Sequence, residues 1–233
     1  MSAVFQGGAA WHTFENLEKD FVEVTRYVAL SPDNDSAWSE KIAQLLLVTG
    51  STVDSVFNEM RTSTLLPQTA GVISLRNNPE PNIGSYRDVY EPLYQLSSVE
   101  LVAKYGLSDY GTIKPFDPFS PGNNPQWWNI YNEVKHGFFQ NMWKAQLRFL
   151  VYGLGGLFAL NVLHKDSQQY LLKIGALQMG DFDKRFVYWR DPRRGWDAVK
   201  NSFVGLHGDV PWDGWVTSEI FLHRFRRDPS AKS

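Results

Sequence analysis

Asn132 and His136 stand four residues apart in the segment Tyr131-Asn132-Glu133-Val134-Lys135-His136. On a helix that spacing puts a carboxamide and an imidazole on one face, and Tyr131 and Lys135 form a second such pair beside them. An imidazole with an amide next to it and a cation nearby can move a proton beside a phosphate. The competing role is structural, a histidine that satisfies a hydrogen bond within a core helix. The other histidines are His12, His164, His207 and His223. No two histidines form His-x-x-x-His or His-Glu-x-x-His, so no metal site is expected.

Other chemistries are weaker in the sequence. Gly153-x-Gly155-Gly156 lacks the full dinucleotide fingerprint and lies in an apolar run, which suits close helix packing better than phosphate binding. There is no Walker loop and no Gly-x-Ser-x-Gly elbow. Asp181-Phe182-Asp183 reads as a cap or turn, and His164-Lys165-Asp166 as a polar helix end. Lys184, Arg185, Arg190, Arg193, Arg194 and Lys200 surround Tyr188, Trp189 and Trp196, and Arg224, Arg226 and Arg227 follow. Cations among aromatics suit single-stranded nucleic acid. Asp181, Asp183, Asp191 and Asp197 dilute the first cluster, so a salt-bridged arm is the expected outcome.

These residues need a scaffold, and the composition provides for one. The chain has 233 residues, 43% of them hydrophobic and 15% aromatic, enough for a substantial core. Its formal charge of −2 supplies no general basic field, so any nucleic-acid contact must be local. It has no cysteine, which excludes disulfides, thiolate metal sites and thiol nucleophiles. The apolar run from Phe149 to Leu163 is short for a membrane span, and Met1 to Ala10 does not read as a signal peptide. A cytoplasmic protein without membrane contact is expected.

Helical periodicity predicts a first helix through Phe14, Leu17, Phe21, Val24 and Val28, and a second from Ala37 to about Arg61. The prolines between Thr62 and Asn82 predict a loop or short extended structure. A third helix is expected from about Ser85 to Tyr105, kinked by Pro92 or starting later because of it. Ser108 to Pro125 reads as an ordered loop packing Ile113, Phe116 and Phe119. A long fourth helix is expected from Gln126 to about Leu163, with a bend at Gly153 to Gly156. Phe186 to Trp189 suggests a short strand, Asp191 to Gly195 a turn, and Ser218 to Phe225 a final strand or helix. The fold class is therefore all-α, a bundle of four to five main helices with a C-terminal arm that includes a short β-hairpin. Residues 1–180 form the bundle, and residues 181–233 form an aromatic and basic arm packed on it.

The segment around His136 resembles the motif of ribonuclease members of the HEPN superfamily, which are helical bundles. That motif is an Arg, usually followed by a polar residue such as Asn, with a His four to six positions further on. Asn132 matches the polar position and His136 the histidine, while Tyr131 stands where the Arg would be. The likeness covers only the stretch from Tyr131 to Gly137. It implies a metal-independent endoribonuclease with no cofactor, acting in stress response or phage defence. His136 would handle a proton as a ribose hydroxyl attacks the adjacent phosphate, and Asn132 would orient His136 or the phosphate. Such sites are built across a two-fold axis, so the resemblance implies a homodimer acting on RNA. Tyrosine supplies neither the charge nor the bidentate fork of the missing Arg, which leaves Lys135 and Arg148 as candidate phosphate ligands. The alternatives are a non-catalytic dimeric interaction module and a small-ligand pocket lined by aromatics.

Overall fold

A computed structural model of the chain describes residues 7–105, 108–179 and 214–225. Helix α1 spans Gly7–Thr25, beginning well before Phe14 and ending short of Val28, and α2 spans Glu40–Met60, close to the bounds its periodicity predicts. Ser39 caps α2, its hydroxyl accepting from Ile42 N at 3.2 Å. Helix α3 covers Ala70–Asn77 and α4 covers Ile83–Tyr94. The strands β1 (Leu101–Tyr105) and β2 (Ser108–Ile113) follow. Helix α5 is Gln126–His136, α6 is the short Phe138–Asn141, α7 is Leu147–Leu163 and α8 is Lys165–Lys173. Strands β3 (Leu177–Met179), β4 (Gly214–Thr217) and β5 (Phe221–Phe225) complete the described residues.

The molecule is mostly helical, broadly the expected all-α bundle, with a small antiparallel sheet added to it. Its strands form one five-stranded sheet in the order β2-β1-β5-β4-β3, antiparallel at every junction. The expected third helix stops at Tyr94, because Gln95 takes a left-handed conformation with φ 47°. Val99 to Tyr105 then carry β-forming residues into pairing with both β2 and β5. The first third of the expected loop from Ser108 to Pro125 is likewise strand. Its aromatics pack as expected: Phe116 and Phe119 are buried against Phe57, which stacks on Tyr86 and Tyr90.

Two further expectations are corrected. The segment Thr62 to Asn82 contains α3, because Pro67, Pro79 and Pro81 bracket the helix instead of interrupting it, and the Thr69 hydroxyl caps it by accepting from Val72 N. The long fourth helix is broken at Gly137 (φ −159°, ψ 66°), not at Gly153 to Gly156. Those glycines sit inside a continuous α7, where they admit neighbours. A Cβ on Gly155 would lie 2.9 Å from Ile113 Cδ1, and one on Gly156 would lie 3.2 Å from Trp127 Cζ2. Helix α7 is buried nearly throughout, with α1, α2, α5, β1 and β5 packed around it. No single helix among the described residues is long and apolar enough to cross a membrane.

The β4–β5 hairpin is the sole described part of the stretch expected as an arm, and it forms an integral part of the sheet. The expected strand at Phe186 to Trp189, the following turn and the basic cluster lie outside the described residues. Phe221 is buried against Phe14 and Phe158. The hairpin turn is fastened to α1 by Glu18, whose carboxylate accepts from Ser218 Oγ (2.5 Å), Ile220 N (2.9 Å) and Glu219 N (3.2 Å). Burial pushes this carboxyl up from 4.5 to about 7, against the opposing pull of those donors.

A carboxyl raised on folding binds its proton more tightly in the folded state. Its contribution is complete below pH 4.5 and is lost as pH rises through about 7. Glu18→Gln should remove a pH-dependent loss on the order of 3 kcal/mol over that window. Urea denaturation at pH 5 and pH 7.5 measures it. Parallel profiles for variant and wild type would show that Glu18 does not titrate there.

Candidate functional site

Helix α5 presents two different faces. Trp127, Trp128, Tyr131 and Val134 are buried, and Glu133, Lys135 and His136 are exposed. The buried face is locked by Trp127, which donates from Nε1 to Pro115 O at 2.6 Å, and by the Tyr131 ring. Tyr131 is 2% exposed and lies flat on Gly50 of α2, where a Cβ would come within 2.4 Å of the ring. The position of the motif arginine is thus a core position here. The phenol ring reaches neither solvent nor a phosphate.

The polar face carries the chemistry. His136 is exposed at the end of α5 and, among the described residues, has no hydrogen-bond or ion-pair partner. Asn132, one turn earlier, is half-buried and donates from Nδ2 to Trp128 O at 3.1 Å, which leaves its Oδ1 uncommitted. No hydrogen bond joins the two side chains, although their spacing puts them on one face. Lys135 is exposed, with Nζ 5.5 Å from the centroid of the Tyr131 ring. Its charge also reaches Asp54 of α2, whose carboxyl is raised by burial and lowered in part by Lys135. Lysine and histidine in the last turn are favourably placed at the negative end of the helix dipole.

The chain after His136 is held in a tight return. Asn141 Nδ2 donates to Glu133 O at 2.9 Å, Gly137 N donates to Glu133 O at 3.1 Å, and Lys144 pairs with Glu133 Oε2 at 2.6 Å. This return carries Phe139 and Trp143, which are 87% and 53% exposed. Lys144 Nζ stands 5.6 Å from the Trp143 ring centroid.

Arg148, the second candidate phosphate ligand, belongs to another neighbourhood. Its guanidinium lies 4.5 Å from the Phe149 ring centroid and acts electrostatically on Tyr110 and Tyr152. Tyr110 donates to Asp35 Oδ1 at 2.6 Å; burial first, then that bond, pushes the phenol up. None of these contacts is shared with Asn132, Lys135 or His136. The structure thus brings three of the sequence-derived residues to one helix face, puts Tyr131 beneath it, and leaves Arg148 apart.

Some polar residues carry no functional expectation from the sequence. His164 is 1% exposed and pushed down to about 4 by burial, with Asp166 Oδ2 at 3.6 Å working against that shift. The tripeptide His164-Lys165-Asp166 reads as a polar helix end, and only the packing of α7 and α8 reveals that its histidine is enclosed. Arg61 and Arg76 meet at one cleft, although fifteen residues separate them and no short motif links them. Among the described residues, no group of three or more His, Asp or Glu is placed to hold a metal ion. No family model, curated protein or solved structure matches this chain.

Tyr131→Arg should unfold the protein or cost about 3–5 kcal/mol, because it buries an unpaired charge against Gly50 and α2. Gly50→Ala should be destabilising by about 1–3 kcal/mol, through the same ring. His136→Ala removes an exposed, unpartnered side chain and should stay within about 0.5 kcal/mol of wild type. Chemical denaturation of the three variants checks this ordering. A stable Tyr131→Arg protein would mean that the ring does not occupy the core.

Proposed function

We propose that this protein cleaves flexible RNA by imidazole acid–base chemistry, with His136 and Asn132 of two copies facing each other across a two-fold axis. The observation that carries the reading is an exposed and unpartnered His136, one helical turn from the free carbonyl of Asn132. In this reaction His136 takes the proton from a ribose 2′-hydroxyl as its oxygen attacks the adjacent phosphorus. The bond to the 5′-oxygen breaks, a 2′,3′-cyclic phosphate forms, and the departing oxygen receives a proton from the imidazolium of the second copy. Asn132 orients the phosphate or the ring. With Tyr131 in the core, the charge of the phosphate falls to Lys135, since Arg148 faces Tyr110 and Tyr152. A lone lysine gives a point charge without the planar fork of an arginine, so slow turnover is expected.

A second reading is favoured by one observation. Phe139 and Trp143 are large, exposed and adjacent to His136 in the chain, which suits a non-catalytic docking face for a partner protein.

A cleavage assay on an unstructured oligoribonucleotide separates the two. The nuclease reading expects products ending in cyclic phosphate, a fall of about 10²–10⁴-fold in His136→Ala, and a smaller fall in Asn132→Ala. It also expects a solution mass of twice 26.7 kDa. Equal rates in wild type and His136→Ala, or a strict monomer that still cleaves, remove the proposal.

A further inference from the structure

Arg61, at the end of α2, bonds carbonyls on either side of Arg76, and Arg76, in the last turn of α3, bonds the Arg61 carbonyl in return. Arg61 Nη1 donates to Asn78 O at 2.5 Å and to Leu75 O at 3.3 Å. Arg76 donates from Nε to Arg61 O at 2.9 Å, from Nη2 to Ser63 O at 2.6 Å, and from Nη1 to Gln68 Oε1 at 3.0 Å. Every one of these acceptors is a neutral oxygen. Neither guanidinium is ion-paired with a carboxylate among the described residues. Both line one open cleft of about 400 Å³, together with Thr62, Thr64 and Gln68. Both also act electrostatically on a single phenol, that of Tyr90.

The bonds to helix-end carbonyls explain part of this arrangement, since a cation suits the negative end of a helix. They do not balance two full charges brought into one cleft. A guanidinium cannot relieve the repulsion by releasing its proton. Donors also remain: Arg61 keeps Nε and Nη2, and Arg76 keeps the second hydrogen on each terminal nitrogen. The Gln68 amide is free to donate as well, because its Oε1 is the atom that accepts from Arg76. Fixed guanidinium forks flanked by hydroxyl and amide groups match the oxygens of a phosphate.

We infer that the cleft between the end of α2 and α3 is a phosphate-binding site, with Arg61 and Arg76 as its charged ligands and Thr64 and Gln68 as neutral ones. The site is independent of His136 and stands whether or not the protein cleaves RNA. The phosphate belongs either to a small phosphate ester or to a nucleic-acid backbone, and the competition below tells them apart.

The decisive variant is Gln68→Glu. It keeps the acceptor for Arg76 Nη1 but adds a carboxylate, filling the cleft's charge deficit from within the chain. Inorganic phosphate and adenosine 5′-monophosphate are titrated calorimetrically into the whole chain, and melting is followed in parallel. Wild type should bind saturably, and Gln68→Glu should fold, melt at or above the wild-type temperature and bind at least about tenfold more weakly. Arg61→Lys should also weaken binding, since it keeps the charge and loses the fork. His136→Ala should bind as wild type does, which separates this site from the proposed nuclease face. An oligoribonucleotide that displaces phosphate from the cleft assigns it to a nucleic-acid backbone; displacement by the mononucleotide alone assigns it to a small ester. No saturable binding of phosphate or mononucleotide by wild type, or undiminished binding by Gln68→Glu, overturns the inference.

Discussion

Close approach to α7 is the constraint on which the rest of the molecule depends. Gly153, Gly155 and Gly156 leave the helix surface without side chains where Trp127 and Phe116 press on one part of it and Ile113, Leu101 and Phe221 on another. Glycine is unfavourable within a helix by about 1 kcal/mol per residue relative to alanine. Contact with helical and sheet neighbours outweighs that here, because each touching aromatic ring removes a large apolar area from water. The same helix therefore holds α5 and the sheet in fixed relation.

The orientation of α5 follows from that packing. Trp127 is pinned between α7 and the Pro115 carbonyl, and Tyr131 closes on Gly50. With those two rings inward, a helix has no freedom in what it turns outward. Glu133 and His136 face solvent, and Asn132 lies on the margin. Tyr131 is thus a packing residue, and Lys135 is left as the cation nearest to its ring.

Much of this was legible in the sequence, where local chemistry decides the outcome. The amphipathic pattern of α1 and α2 gave their positions, and the four-residue spacing of Asn132 and His136 placed them on one helix face. The aromatics of the loop after β2 were correctly expected to be internal. Long-range pairing was not legible. Val99, Leu101 and Val102 read equally well as helix or strand until a partner is available, and that partner, β5, lies more than a hundred residues away. The helix break was misplaced because three glycines look weaker than one, whereas Gly153 to Gly156 are supported by packing on every side and Gly137 is not. The Arg61–Arg76 clasp was illegible for the same reason as the sheet: the α3 turn that joins the two residues was read as loop.

The position of β5 sets an order of events during synthesis. It lies between β1 and β4, yet it follows every other described strand in the chain. While a ribosome is still making the middle of the chain, α1, α2, α5 and α7 can already pack, since their contacts need nothing beyond residue 163. During that interval β1 has one side without a hydrogen-bonding neighbour, open to any passing strand. Glu18, translated 200 residues before Ser218, waits for that residue and Ile220 to emerge before it acquires these donors. Helix α1 and the β4–β5 hairpin are thereby joined late, and a chain cut before β5 would leave β1 open on one side and Glu18 without these donors.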